Sequence, residues 1–325
     1  MDIFAPLQWL ADRLTYTVFS LGHGTHLAGS VNFFVYDGLK ILVLLLVINY
    51  VMAVIRYYLP VEKIRGLIVG RKWYGAEHVL ASLFGAITPF CSCSSIPFFV
   101  GFVGAGVPLG VTFSFLITSP LVNEAAVVLL GGLFGIKLML IYIAAGVTIG
   151  VVGGMLLSRV DARKHINADI LALTEHAVAT GDLPPATYSR QLWGAWWREG
   201  YDITKKLVPY ILVGVGLGAA IHGYVPQNFF EQTLASGAWW TVPVATVVAV
   251  PLYSNAVGVV PVVQALVQAG VPIGTAFAFM MATVGLSLPE ALILKKVMSL
   301  RLLALYFGMI TVGIVLIGYL VNALF

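Results

Sequence analysis

Charge is scarce in this sequence: 10% of its 325 residues are Asp, Glu, Lys or Arg, whereas 60% are hydrophobic. Because a globular domain carries about 25% charged residues, this composition excludes an ordinary water-soluble fold. Many segments reach the roughly 20 apolar residues that a membrane-spanning helix needs. The net charge of +4 forms no basic stripe with interleaved aromatic residues, which argues against nucleic acid as a partner. We therefore predict an all-α, polytopic membrane protein embedded in a lipid bilayer.

Cysteine is scarce as well, since Cys91 and Cys93 are the only two in the chain. Two cysteines cannot build a disulfide framework, and a bond between these two would close a small, strained ring. No second cysteine pair or histidine cluster completes a tetrahedral zinc site. A Walker A phosphate-binding loop is missing, and no nucleophile–base pair stands out. The sequence therefore predicts no enzyme, no catalytic residue, no metal and no cofactor.

The second half of the sequence repeats the pattern of the first. The run AGVP at 105–108 recurs at 269–272, and the same offset of 164 carries Tyr142 to Tyr306. Each repeat contains about four hydrophobic segments, some of them broken by proline. The predicted organisation is an N-terminal interfacial segment at 1–35, membrane repeat 1 at 36–157, a cytoplasmic connecting loop at 158–199 and membrane repeat 2 at 200–325.

The distribution of Lys and Arg predicts how the two repeats are oriented. Basic residues cluster after the first helix, around the connecting loop and before the last helix, and cytoplasmic loops carry an excess of positive charge. With all three clusters in the cytoplasm, the closing helices expected near 138–157 and 302–323 run in opposite directions, as in inverted-repeat transporters. Inversion requires an odd number of crossings per repeat. One broken segment in each repeat is therefore expected to be re-entrant or split, and the sequence leaves open which one.

A short polar stretch, TPFCSCSSIP at 88–97, interrupts an otherwise apolar segment. Its prolines remove backbone donors, and the freed carbonyls and Ser hydroxyls need partners that lipid cannot provide. Broken helices of this kind hold substrate sites in secondary transporters. Thiolates select soft metals and metalloids, so Cys91 and Cys93, with Ser94 and Ser95, are candidate substrate ligands. The alternative is that the cysteines are small hydrophobic residues of the membrane core.

The second repeat has a matching break, PLYSNA at 251–256. In it, Ser254 and Asn255 supply neutral donors and acceptors. We predict that both belong to the same substrate site as the cysteines. The alternative is that these side chains make polar contacts between helices.

Glu124 and Glu290 are the acidic residues expected inside the membrane segments. A carboxylate at the centre of a spanning helix costs about 2.5–3.5 kcal/mol on insertion scales, so two of them in matching positions indicate a retained role. We predict that they carry protons and couple transport to the proton gradient. The alternative is that each carboxylate caps the N-terminus of a half-helix that follows a break.

These motifs resemble a family of predicted bacterial and archaeal permeases that includes the organoarsenical efflux permeases. The resemblance rests on the 88–97 stretch, on AGVP at 105–108 with TSP at 118–120 and Asn-Glu at 123–124, and on Pro-Glu-Ala at 289–291. It covers nearly the whole chain from about residue 35. It implies a multi-pass permease of the inner, cytoplasmic membrane. For some members it implies export of trivalent arsenicals, which react with thiols.

The leading hypothesis is a secondary permease that exports a small thiol-reactive solute, such as a trivalent organoarsenical, with proton coupling. One alternative is a transporter of a sulfur compound or a small organic anion, bound at half-helix N-termini. Another is a membrane thiol oxidoreductase that uses Cys91 and Cys93. The expected partners are a small-molecule or metalloid substrate and the bilayer, without nucleic acid. The sequence leaves the oligomeric state open, a homo-oligomer included.

Overall fold

A computed structural model describes residues 5–22, 25–58, 75–88, 92–104, 106–160, 165–167, 238–250 and 256–325, with scattered positions between 194 and 216. The described part is about 86% helical and contains no strand. The prediction of an all-α membrane protein is therefore confirmed, and the apolar composition explains it, because a spanning segment must satisfy its backbone hydrogen bonds internally.

The N-terminal part consists of helix α1 (Ala5–Asp12), a π-helical turn (Arg13–Val18) and the 33-residue helix α2 (His26–Tyr58). Helix α2 begins at His26, ten residues before the start of repeat 1 predicted at 36, because residues 26–35 are largely apolar and continue the helix. Helix α1 packs against α2, where Asn32 donates to the Asp12 carboxylate at 2.8 Å.

Five helices complete the first half, and each ends at a residue with non-helical backbone or at a turn. The first of these helices ends before Thr88, whose backbone is extended. The third ends before Val122, which is also extended, and its last helical turn contains Pro120. Gly106 has a positive φ of 78°, which glycine adopts without strain. The helices are α3 (Ala76–Ile87), α4 (Ser92–Gly104), α5 (Leu109–Leu121), α6 (Glu124–Phe134) and α7 (Ile136–Ser158).

The second half has the same succession of helices. Its last four begin 164 residues after α4, α5, α6 and α7, as the offset between Ser92 and Ala256 illustrates. Gly270, which is 164 residues after Gly106, also has a positive φ, 91°. The helices are α8 (Thr241–Ala249), α9 (Ala256–Gln268), α10 (Ile273–Gly285), α11 (Leu288–Val297) and α12 (Leu300–Leu324).

Two helices among the described residues, α7 and α12, are long and apolar enough to cross a membrane. They agree with the closing helices predicted near 138–157 and 302–323. The pairs α5–α6 and α10–α11 bend by 50° and 49° at their breaks, and each pair counts as a further span if it is taken as one. The described part thus holds between two and four candidate spans.

Small residues allow the long helices to pack closely within each half. A Cβ added to Gly154 of α7 would overlap Ser114 Oγ and the carbonyl oxygen of Gly110 on α5. In the second half, a Cβ added to Gly274 of α10 would overlap the carbonyl oxygen of Gly318 on α12. The two contacts are equivalent, because Gly274 is 164 residues after Gly110 and Gly318 is 164 residues after Gly154.

The two closing helices run antiparallel where they meet. A Cβ on Gly313 would lie 3.0 Å from Ile149, and one on Gly153 would lie 4.0 Å from Met309, so higher numbers on α7 face lower numbers on α12. The chain just after α7 also returns to the start of α12. The amide of Ser299 donates to His165 O at 2.7 Å, next to an isolated antiparallel bridge that pairs 166 with 298.

Candidate functional site

Glu290 lies at the start of half-helix α11 and is 1% exposed. Ser287 caps this helix, because its Oγ accepts the backbone N–H of Glu290 at 3.3 Å. The hydroxyl of Tyr306, on α12, lies 3.3 Å from Glu290 Oε1 and 3.4 Å from the carbonyl oxygen of Leu116 on α5. A tyrosine has one hydroxyl proton to donate. The buried carboxylate therefore lies at a junction of α11, α12 and α5.

Glu124 occupies the corresponding break of the first half, as the first residue of α6. Asn123 caps α6, since its Oδ1 accepts the Ala126 N–H at 3.3 Å, and its own N–H donates to the Tyr142 hydroxyl at 3.2 Å. Glu124 is half-buried, and its Oε1 is buried without a hydrogen-bond donor among the described residues. The two carboxylates therefore occupy similar positions but have different hydrogen-bonding environments.

Two tyrosines and two phenylalanines connect the halves in a reciprocal way. The Tyr142 ring packs edge-on against Phe277, with 5.9 Å between ring centroids, and the Tyr306 ring lies 6.1 Å from Phe113. Tyr142 and Tyr306 are 164 residues apart, and so are Phe113 and Phe277. Each half thus contributes to the other the same pair of side chains, which is the contact pattern of a two-fold interface.

The helices that follow the breaks also contact each other across the halves. Helix α4, which contains Cys93 in its first turn, packs against α11, which begins with the Glu290 turn. Reciprocally, α9 packs against α6, which begins at Glu124. Of the predicted ligands on α4, Ser95 is fully buried. Cys91, Ser254 and Asn255 lie outside the described residues, as do the side chains of Cys93 and Ser94.

Sequence reasoning overlooked the two tyrosines as members of this site. The sequence shows that the two tyrosines are 164 residues apart, which is the repeat offset. A buried Tyr in a spanning helix usually only packs in the core, however, and its role in a site is recognised only when the partner of its hydroxyl is known. It also overlooked the caps Asn123 and Ser287, whose residue types favour helix N-termini. The capping role weighed for the carboxylates therefore falls to their neighbours in both breaks.

A protein-family model described as "Predicted permease" matches residues 26–323. The chain belongs to this family. The resemblance inferred from the motifs is thereby confirmed, and membership supports a membrane transporter in general, which agrees with the apolar helices of a multi-pass membrane protein. The permease would handle a small molecule within the bilayer.

Two curated relatives are similar in sequence to this permease over most of its length. UPF0718 protein MJ0584 of Methanocaldococcus jannaschii is 20% identical over 334 residues, which cover 84% of the permease and 92% of that protein. UPF0718 protein YraQ of Escherichia coli K12 is 25% identical over 246 residues, covering 74% of the permease and 66% of that protein. No solved structure matches.

Proposed function

We propose that the protein is a secondary permease of the inner membrane that exports a small thiol-reactive solute, such as a trivalent organoarsenical, in exchange for protons. The observation that carries this proposal is the contact of α4 with α11. It associates the helix whose first turn contains Cys93 with the helix that carries the buried Glu290. Thiolates bind soft metalloids, and intramembrane carboxylates are common proton carriers in transporters.

Helix directions support an inverted-repeat topology with re-entrant hairpins. Helix α3 runs parallel to α5, because His78 contacts Ser114 while a Cβ on Gly85, further along α3, would lie 3.0 Å from Phe115 O and 3.4 Å from the Thr118 side chain. Both helices therefore begin at the same end. The α3–α4 segment enters from that end and returns to it, since α5 starts there. In this topology the α3–α4 segment is the re-entrant one, which an odd number of membrane crossings per repeat requires. The α5–α6 pair then crosses the membrane as one bent helix.

The second half repeats this arrangement at the opposite end of the molecule. Thr241, at the start of α8, lies 3.4 Å from Thr275 at the start of α10, and Asn322 at the end of α12 accepts the Gly274 N–H at 2.7 Å. Because α7 and α12 are antiparallel, the α8–α9 hairpin enters from the other side. Two hairpins that enter from opposite sides are the hallmark of inverted repeats.

The bridge between residues 165–167 and the start of α12 supports the orientation. It joins the end of α7, where Arg159 lies, to the α11–α12 turn, which carries Lys295, Lys296 and Arg301. Two of the predicted basic clusters thus lie on one side. We assign this side to the cytoplasm by the positive-inside rule.

The environments of Glu124 and Glu290 support different roles for the two carboxylates in coupling transport to the proton gradient. Glu290 is 1% exposed and its Oε1 receives the Tyr306 hydroxyl, whereas Glu124 is half-buried. Burial disfavours the ionised form of a carboxylate, and a partly exposed carboxylate can exchange protons with solvent directly. We assign the exchange of protons with solvent chiefly to Glu124.

Transport of a trivalent phenylarsenical into everted membrane vesicles tests the proposed function. We expect uptake by vesicles that contain the wild type, and its loss when Cys91 and Cys93 are both replaced by Ser. Ser92→Ala, which changes the same break but keeps both thiols, is the matched control. Uptake by the thiol-free variant at the wild-type rate would remove the thiols from the mechanism, and absence of uptake by the wild type would contradict the substrate.

A further inference from the structure

A histidine outside the proposed site is buried between three helices. His78, near the start of α3, is 7% exposed, and its Nδ1 lies 2.9 Å from Ser114 Oγ on α5. We assign the single hydroxyl proton of Ser114 to the Gly110 carbonyl, 3.2 Å from Ser114 Oγ, so that this oxygen accepts from the imidazole. Nδ1 of His78 therefore carries the hydrogen of this bond, and Nε2 is the nitrogen left to take up a proton.

The surroundings of this bond are polar and closely packed. Thr118 Oγ1 and Ser82 Oγ both donate to the Ser114 carbonyl, at 2.9 and 3.5 Å. Helix α7 closes the cluster with a glycine face, because a Cβ on Gly150 would overlap Thr118 Oγ1 and one on Gly154 would overlap Ser114 Oγ. The imidazole thus sits where α3 docks onto α5 and α7, with little space for rearrangement while the contact is closed.

Helix packing by itself does not require a histidine here. The residues 164 positions after His78, Ser114 and Thr118 are Val242, Ala278 and Ala282, and the second half packs the equivalent helices without an ionisable side chain at these positions. The cluster is therefore a feature of one repeat alone. Its histidine lies on α3, in the same hairpin sequence as the two cysteines.

Among the residues that the structure describes on α3, α5 and α7, few charges can stabilise an imidazolium at this place. Glu77 is adjacent on α3, and its carboxylate accepts the Gly75 N–H at 3.1 Å. Helix α5 contains no ionisable residue, and α7 contains only Lys137 and Tyr142 near its far end, with Arg159 just beyond its near end. A proton added to Nε2 would thus place a charge in a buried junction lined by neutral hydroxyl and carbonyl groups, where charges are costly.

We propose that His78 is a proton-operated switch that controls the docking of the α3–α4 hairpin, and with it the exposure of Cys91 and Cys93. Neutral His78 holds α3 to α5 through Ser114. A proton on Nε2 leaves this hydrogen bond in place but adds a charge that the closed junction cannot solvate, so protonation favours release of the hairpin. The inference rests on the proposed function for its role in transport, but the switch itself concerns the hairpin and can be tested without any substrate.

The test measures how fast a methanethiosulfonate reagent labels the cysteines of the purified protein across about pH 5 to 8, the range in which histidine titrates. His78→Asn keeps an N–H donor for Ser114 but cannot take up a proton. We expect the ratio of wild-type to His78→Asn labelling rates to rise several-fold as pH falls. Comparison at each pH cancels the reagent's own dependence on thiolate. A ratio independent of pH would overturn the proposal.

Two further variants sharpen the test. His165→Asn makes the same exchange at a histidine that also contacts a serine hydroxyl, Ser299 Oγ at 3.1 Å, outside the hairpin. We expect it to label like the wild type, and a flattened profile in this control would overturn the assignment to His78. Ser114→Ala keeps the imidazole but removes its acceptor, so its profile should shift along the pH axis, and an unshifted profile would contradict the docking role. If the protein does not transport arsenicals, the proposed function fails, but the labelling rates of the three variants still test the His78 switch.

Discussion

At the scale of residues, the most consequential contact is the one between Tyr306 and Glu290. It brings a hydroxyl from the closing helix to a carboxylate that is 1% exposed, and the same hydroxyl lies within reach of the Leu116 carbonyl in the other half. A carboxylate buried without hydrogen-bond donors is strongly destabilising, so this tyrosine helps to make Glu290 tolerable in the core.

Replacing Tyr306 by Phe should therefore destabilise the protein. The ring can still pack against Phe113, but the hydroxyl is lost, and we expect a decrease of about 1–3 kcal/mol in unfolding free energy. Thermal unfolding in detergent measures this. Tyr319→Phe, the same change at a hydroxyl on the exposed end of α12, is the control. Equal melting temperatures for Tyr306→Phe and wild type would contradict a structural role for the hydroxyl.

The unequal environments of the two carboxylates lead to a second prediction. Glu124→Gln should abolish accumulation driven by a pH gradient while substrate exchange at equal pH continues, because a neutral amide cannot carry a proton. Glu290→Gln should leave gradient-driven accumulation largely in place, because the amide oxygen can still accept from Tyr306 and proton exchange is assigned chiefly to Glu124. Proteoliposomes with and without a pH gradient separate these outcomes. If the Glu124→Gln variant still accumulates substrate in response to a pH gradient, another residue must carry the coupled proton.

At the scale of elements, the positions of the helix breaks follow from local sequence. Pro120 and Pro289 each lie next to an interruption, and glycines with positive φ form the turns after α4 and α9. These are short-range steric effects, which explains why interruptions could be predicted from the sequence. The break predicted at 88–97 was too long, because its residues from Ser92 onward belong to α4. The helix against which each half-helix packs could not be predicted, because the packing of α4 on α11 depends on contacts between distant parts of the chain.

Close approach of α5 and α7 makes Gly154 sensitive to substitution. Gly154→Ala would force a methyl group into Ser114 Oγ and the Gly110 carbonyl, and overpacking of this kind costs about 1–3 kcal/mol. Gly308→Ala, in the other closing helix with nothing within 4 Å of the added Cβ, should be neutral or stabilising by about 0.5–1 kcal/mol. Thermal unfolding of both variants decides whether this contact is as close as described, and equal effects would argue against it.

At the scale of the whole molecule, the two halves exchange equivalent contacts. Tyr142 meets Phe277 as Tyr306 meets Phe113, and α4 meets α11 as α9 meets α6. These matching contacts are what the proposed inverted-repeat topology requires, because alternating access needs two similar units that can move against each other.

The proposed topology predicts which turns are accessible from each side. In a background without the native cysteines, Ala76→Cys and Pro108→Cys should react with an impermeant maleimide only from the cytoplasmic side. Trp239→Cys and Ala269→Cys should react only from the opposite side. Labelling of intact cells and everted vesicles distinguishes the two faces. Reaction of all four positions from one face would exclude inverted hairpins.

The sequence by itself determined the membrane class, the duplicated pattern, the broken segments and the permease family. Hydrophobic content, proline position and a constant offset are properties of neighbouring residues, and they need no tertiary contact to be read. Only the tertiary structure decided that Tyr306 binds Glu290, that Asn123 and Ser287 supply the caps, and that His78 lies against Ser114. These pairings depend on which helix faces pack together across the chain, and many faces of an apolar helix are chemically alike until close packing selects one.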